Sequence, residues 1–354
     1  MRRTADVAPD PSRIEHGIPG DAFFLVWGPP SHGPRSQVFA RALGIEIRNV
    51  MSSRRRGALV APFKYASMLG KTSWLLLKLR PPVVFVQSPP TFAAMTVCAY
   101  AAITGARFVV DAHSAAMSPI WTRPAWLSRL VARRAATTIV TNEHFARRIR
   151  GWGGRALVVP DIPTNFGTVR PSPLVGTFNV MVVSSFAPDE PVTEILRAAR
   201  ELPDVEFHVT GDPMRGRDRL PRDIPANVHL TGFIPDPEYY ALMASCQAVL
   251  CLTTRDHTMQ RGACEALWIG TPIVTSDWPL LREYFTTGTV HVGGTAGEIG
   301  EGLREMVRDH STHRDGILRL REERRKGWQD AIASIARLVR PPGTRSFRTT
   351  RRTT

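Results

Sequence analysis

The sequence predicts an α/β protein of two doubly wound parallel-sheet domains facing a central cleft, and three observations predict it. Short, continuously apolar runs such as "VVFVQS" (83–88) and "FNVMVVSS" (178–185) alternate with segments of helical spacing, the pattern of strands buried on both faces by helices. The alternation pauses in "PTNFGTVRPSPLVGT" (163–177), where Pro, Gly and polar residues cluster, and then restarts. Finally, the 354 residues exceed what one compact core holds and suit two of ordinary size.

The elements follow in order. "AFFLVWGPP" (22–30) is a buried strand stopped by Gly28-Pro29-Pro30, and "SQVFARALG" (36–44) is a helix ended by Gly44. "VVFVQS", "ARFVVDA" (106–112), "ATTIVTN" (136–142) and "RALVVPD" (155–161) are further strands, separated by helices over Thr91–Thr104, Trp126–Ala135 and Glu143–Trp152. After the linker come the strands "FNVMVVSS", "VEFHVTG", "NVHLTGFI", "AVLCLTT" and "PIVTS". The helices "EILRAARELP", "EYYALMASC" and "CEALWIG" lie among them, and further helices fill Ala296 to Arg340. The expected domains are 21–165 and 178–340, joined by a 166–177 linker. The flanks 1–20 and 341–354 have the composition of disordered segments. In such sheets ligands bind beyond the carboxyl ends of the strands.

An apolar share of 43% with 22% charged residues belongs to a globular protein. The formal net charge of +15 points to an anionic partner: nucleic acid, acidic lipid or a phosphorylated substrate. Cys98, Cys246, Cys251 and Cys264 lack metal-type spacing and sit in apolar segments, so they read as buried free thiols in a reducing compartment. The start has no signal-peptide core, and no apolar run reaches the roughly 20 residues of a membrane span. The expected location is the cytoplasm, peripheral on the inner face of the membrane. "RRRGALVAPFKYASMLGKTSWLLLKLR" (54–80) interleaves Arg54, Arg55, Arg56, Lys64, Lys71, Lys78 and Arg80 with Phe63, Trp74 and Leu75–Leu77, which suits an interfacial helix on an anionic membrane. The apolar helix Thr91–Thr104 either joins it there or is apolar because it packs on the sheet. No nucleic-acid recognition motif accompanies the basic stretch, and no nucleic-acid partner is expected.

The strongest local signal is "TTRDHTMQRGACEALWIGTPIVTSDWPLLRE" (253–283). A strand ends in a polar loop, a helix begins near Met259, and a Gly-Thr-Pro turn leads to a strand finishing at Thr275-Ser276-Asp277. Free N–H groups and positive dipole charge at the helix start suit a diphosphate. Glu265 falls about two turns in, where its carboxylate either accepts from ribose hydroxyls or sits on the helix surface.

This block resembles the nucleotide-sugar site of GT-B glycosyltransferases, whose pattern has two glutamates about two turns apart, then Gly-x-Pro and a later glutamate. Glu265 and Glu283 match; His257 stands at the first glutamate position. "GPPSHGPRSQVFARAL" (28–43), "VQSPP" (86–90), "VVDAHS" (109–114) and "SSFAPDEPVTEILRAA" (184–199) look like one branch, which includes the chitobiosyldiphosphodolichol β-mannosyltransferase and its bacterial relatives. The resemblance implies two Rossmann-like domains with no cofactor beyond the substrate nucleotide sugar; GDP-mannose is one candidate donor, since such branches contain several sugar specificities. It implies a lipid-linked or polysaccharide acceptor. Ser31, His32, Gly33 and Arg35 would form a loop reaching the acceptor and the donor phosphates. Phe186, Asp189, Glu190, Asp256, His257, Gln260, Arg261, Glu265, Ser276 and Glu283 would hold the donor. The Arg and Lys that many relatives place near Asp189 are missing, and Gly262 stands where the branch often has Lys. Asp111 and His113, at a strand end, are the candidates for the base that an inverting transfer needs; a buried, satisfied Asp-His pair is the structural alternative. A GT-B sugar-nucleotide epimerase and a non-catalytic partner subunit are the rival functions.

Overall fold

The computed structural model describes residues 18, 21–29, 34–52, 60–164, 166–221 and 223–340. Ser31, His32, Gly33, Arg54–Arg56, most of the N-terminal segment and the basic C-terminal tail lie outside the described residues. The chain divides into two units, residues 1–162 with 327–354 and residues 163–326.

In the first unit the elements run β1 (Phe23–Trp27), α1 (Pro34–Leu43), β2 (Glu46–Val50), α2 (Ala61–Leu79), β3 (Val83–Ser88), α3 (Thr91–Thr104), β4 (Arg107–Ala112), α4 (Pro119–Thr122), α5 (Ala125–Arg134), β5 (Thr137–Val140), α6 (Glu143–Gly151) and β6 (Ala156–Val158). All strands are parallel, in the order β2-β1-β3-β4-β5-β6. The sheet reverses winding between β1 and β3. Every residue of "FFLVW" in β1 is buried, as a central strand covered on both faces requires. One core joins the sheet to α2, α3, α5 and α6 through Leu76, Ala94, Val97, Val131 and Ile149. On α3 the small residues Ala93, Ala94 and Val97 are buried whereas Phe92 and Ile103 are exposed. Packing on the sheet explains the helix's inner face but leaves its outer apolar residues in solvent.

The second unit contains β7 (Phe178–Val182), α7 (Val192–Arg200), β8 (Val205–Thr210), β9 (Val228–Gly232), α8 (Asp236–Ser245), β10 (Ala248–Cys251), α9 (Arg261–Ile269), β11 (Ile273–Ser276), α10 (Pro279–Tyr284), β12 (Thr289–Val292) and α11 (Ala296–Arg308). Its sheet is again parallel, in the order β12-β11-β10-β7-β8-β9, and reverses winding between β7 and β10. Helices α7 and α11 cover one face through Ile195, Leu196, Ile299 and Leu303. The other face packs on α8, α9 and α10 through Met243, Ala263, Leu267 and Leu281. The four cysteines are buried and free.

The last helix, α12 (His310–Val339), is where the division departs from the expected 178–340 domain. Its Ile317 and Leu320 belong to the second unit's core. Trp328, Ile332, Ile335 and Val339 instead complete the first unit's second core, with Phe24, Phe39, Phe85 and Ile139. Trp328 lies 4.9 Å from the ring of Phe39. Apolar residues on a long helix carry no label of the sheet they cover. Four elements escaped the sequence reading: β2, α4, α10 and β12. The two strands are sheet edges, half-exposed, so they lack the continuous apolar run that marks a central strand.

Candidate functional site

In the first unit, the residues expected to carry proton transfer meet at the carboxyl ends of β3 and β4. Asp111 is 1% exposed, and its two carboxylate oxygens have different partners. Oδ1 accepts from Arg35 Nε at 3.1 Å, and Oδ2 faces His113 Nε2 at 3.2 Å. Burial by itself would raise the Asp111 pKa. The Arg35 charge and the hydrogen bonds from His113 and Arg35 outweigh it and hold the carboxyl below its ordinary value. His113 is 27% exposed, and its backbone N–H is anchored to the Ser88 carbonyl at 2.9 Å. With Nε2 turned to Asp111, Nδ1 is the ring nitrogen left to face solvent or substrate.

Arg35 corrects an expectation. It was expected in a loop offering its charge to an anion, but α1 already begins at Pro34, so Arg35 lies in the first helical turn. Its side chain is only 12% exposed. Besides Asp111 it binds the Val159 carbonyl at 2.8 Å and lies 5.1 Å from the Phe39 ring centroid. A guanidinium so engaged supports Asp111 and has little left for a substrate phosphate. The next residue, Ser36, donates to Gln87 Oε1 at 3.3 Å, tying α1 to β3.

In the second unit the expected donor residues gather around the reversal between β7 and β10. Asp189, after β7, crosses to the loop after β10. Its carbonyl accepts from Thr254 N at 2.8 Å, its carboxylate accepts from Thr253 Oγ1 at 3.1 Å, and Arg255 Nε stands 3.6 Å away. Ser276, at the end of β11, accepts from Thr253 N at 2.8 Å, so three strand ends share one network. Glu190 turns inward and accepts from Ser184 Oγ, Ser185 N, Ser185 Oγ and Ala187 N. These bonds hold the loop in shape and occupy the carboxylate. Phe186 is buried in the left-handed backbone region, at φ 55, so its side chain packs inside the unit; the expectation that it faces the donor does not fit this burial.

Glu265 is buried on α9, which rules out the surface-residue reading. Oε2 accepts from Tyr239 O–H at 3.0 Å and Oε1 from Arg261 Nε at 2.7 Å, one helical turn earlier. Burial first, and then the Glu265 charge, push the Tyr239 pKa far up, so its hydroxyl stays a donor. Gln260 precedes α9 without capping it, and its Oε1 accepts from Cys251 Sγ at 3.2 Å. The amides of Ala263 and Gly262 also reach the Cys251 sulfur, whose thiol burial pushes up to about 12. Part of the expected anion-binding helix start is therefore engaged within the protein. Asp256 and His257 pair with each other at 3.4 Å in an exposed loop. Glu283 is exposed on α10, and no described contact joins it to Glu265. At Gly262 a Cβ would stand 2.6 Å from Val183 Cγ1. The close approach of α9 to the end of β7 explains why no lysine sits there.

Two functional-looking residues escaped the sequence reading. Tyr239 had no signal beyond an apolar helix. Arg219, in a polar stretch after β8, donates to the carbonyls of Phe186 and Ala187, which places a cation beside the loop thought to lack one. Among the described residues no three His, Cys, Asp or Glu side chains gather as a metal site needs.

Comparison with known proteins bears on the family and the fold. Residues 17–161 match a family model described as a glycosyl transferase 4-like domain, and residues 192–334 match one described as glycosyl transferase-like. No curated protein sequence matches the chain. Among solved structures, sucrose-phosphate synthase (tll1590) from Thermosynechococcus elongatus superposes with a TM-score of 0.65 at 14% identity, covering 90% of this chain and 98% of that one. Anabaena Alr3699/HepE, in complex with UDP and glucose, gives 0.66 at 16%, covering 89% and 98%. The UDP-GlcNAc 2-epimerase of Methanocaldococcus jannaschii gives 0.53 at 13%, covering 80% and 91%. By fold the chain is a GT-B protein. With both units matching glycosyltransferase domains, it belongs to the glycosyltransferases of that fold.

Proposed function

We propose that the chain transfers a hexosyl group from a nucleoside-diphosphate sugar held by the second unit to an acceptor hydroxyl deprotonated by His113. The observation that carries the reading is the Arg35–Asp111–His113 chain at a strand end. A buried carboxylate kept ionised by Arg35 orients the imidazole and stabilises the cation it becomes. The acceptor proton passes to Nδ1, the acceptor oxygen attacks the anomeric carbon, and the bond to the diphosphate breaks with its electrons leaving on phosphate. A base so placed suits inversion. Stabilising the departing charge falls to the start of α7, to Arg255 and to Arg261, which is 72% exposed.

The donor is a mannosyl nucleotide such as GDP-mannose, as the branch resemblance implies, and the acceptor is lipid-linked or a growing polysaccharide. A peripheral seat on the inner face of an anionic membrane fits α2, which exposes Phe63, Trp74 and Leu77 beside Lys64, Lys71 and Lys78. No described helix is long and apolar enough to cross a membrane. The test is a panel of nucleotide sugars incubated with and without membrane-extract acceptors. Nucleotide release only with acceptor is expected. Conversion of the donor sugar without acceptor would make the chain an epimerase, and neither binding nor turnover would make it a partner subunit.

Glu265 gives a prediction for the donor side. Its carboxylate has about four lone-pair sites, so ribose hydroxyls can join Tyr239 and Arg261. Glu265→Ala is expected to weaken donor binding by about 1.5–3 kcal/mol, the range for hydrogen bonds to a charged group. Calorimetry checks it. If only the melting temperature moves, the residue's role is confined to holding Tyr239 and Arg261.

A further inference from the structure

The opposite end of the first unit's sheet carries a feature that glycosyl transfer does not use. The residues just before β3, β4, β5 and β6 border two adjoining hollows of about 400 and 490 Å³. Arg107 lines both; Arg80 lines the smaller, and Arg133, Arg134 and Arg155 line the larger. Among the described residues no Asp or Glu lines either one. Since β4 runs from Arg107 to Ala112, roughly 16 Å separates these hollows from the Asp111–His113 end.

Helix ends account for part of the cluster. Arg107 donates to the carbonyls of Leu338 and Arg340 at 3.0 and 2.8 Å, and Arg133 donates to that of Trp152 at 2.8 Å. Cations are favourable at the carboxyl ends of α12 and α6. Each bond engages one edge of its guanidinium and leaves other N–H groups. The side chains of Arg134 and Arg155 make no hydrogen bond or ion pair among the described residues, although the Arg155 carbonyl accepts from Thr138 N–H. The backbone also fixes their spacing: a Cβ at Gly154 would lie 2.6 Å from the Ala132 carbonyl oxygen. The turn carrying Arg155 is therefore pressed against the end of α5 that carries Arg133 and Arg134.

Like charges converging on a hollow without a counter-charge repel one another. Guanidinium forks match phosphate oxygens in geometry as well as in charge. We propose that the hollows bordered by Arg80, Arg107, Arg133, Arg134 and Arg155 bind a ligand carrying two or more phosphate groups. A soluble oligophosphate and the clustered phosphate headgroups of an anionic bilayer present this same chemistry.

The test uses the full chain and two probes, inorganic tripolyphosphate followed by calorimetry and phosphatidylcholine vesicles containing phosphatidic acid followed by co-sedimentation. The Arg134→Gln/Arg155→Gln double variant should bind at least one probe about tenfold more weakly or worse, the loss expected from removing charge-assisted hydrogen bonds. Arg314→Gln/Arg319→Gln, which removes the same charge from exposed positions on α12, should bind like the native chain. A loss confined to tripolyphosphate identifies a soluble ligand, and a loss confined to vesicles identifies headgroups. Unchanged binding of both probes in the first variant, equal losses in the two variants, or no saturable binding by the native chain overturns the proposal.

Discussion

Replacing Asp111 by alanine will destabilise the protein by about 3–5 kcal/mol, the cost of leaving one member of a buried ion pair without the other. The member left behind is Arg35, which the described structure pairs with no other carboxylate. Asp111→Asn keeps an oxygen for Arg35 and should lose less. Chemical denaturation measures both, and a loss below about 1 kcal/mol for the alanine variant would mean that Arg35 swings out to water. The pH dependence has a definite sign. The folded pKa of Asp111 is depressed, so its contribution is fully present above the unfolded value of about 3.9 and disappears as pH falls through the lower folded value. Below about pH 4 the native chain should therefore lose stability more steeply than the asparagine variant.

His113→Ala will cut turnover by about a hundredfold while leaving donor affinity close to native. The split follows from placement, because His113 belongs to the first unit and the Asp189–Thr253–Ser276 network to the second. Stability should change little, since the imidazole is partly exposed. The prediction fails if the folded variant binds donor and turns over normally. In that case the Asp111–His113 pair is structural, and the base must be sought at His32 or on the acceptor itself.

What could be read from the sequence, and what could not, follows from which contacts are local. Central strands announce themselves because both faces are buried, as in "FFLVW" and "VVFVQS", and α3 was legible to its ends between Pro90 and Gly105. The edges β2 and β12 lack that signal. That Asp111 and His113 stand together at the end of a buried strand was legible in its apolar run. Arg35 was misjudged because its partners, Asp111 and Val159, lie 76 and 124 positions away. The same limit hid the Tyr239–Glu265 bond and placed Glu190 among ligand contacts when its carboxylate closes a loop. Side-chain direction is a tertiary property, and a motif reports only which residue types are available.

Helix α12 has a consequence for how the chain is made. A ribosome releases residues 1–162 long before it reaches Trp328, yet Phe24, Phe85 and Ile139 rely on Trp328, Ile332 and Ile335 for cover. Until those residues emerge, α1 alone covers that side of the first sheet, leaving part of an apolar surface bare on a nascent chain, the condition under which chaperones are recruited. The first unit therefore matures last although it is synthesised first. Any attempt to produce it alone must supply the segment from Gly327 onward, joined or added as a separate peptide.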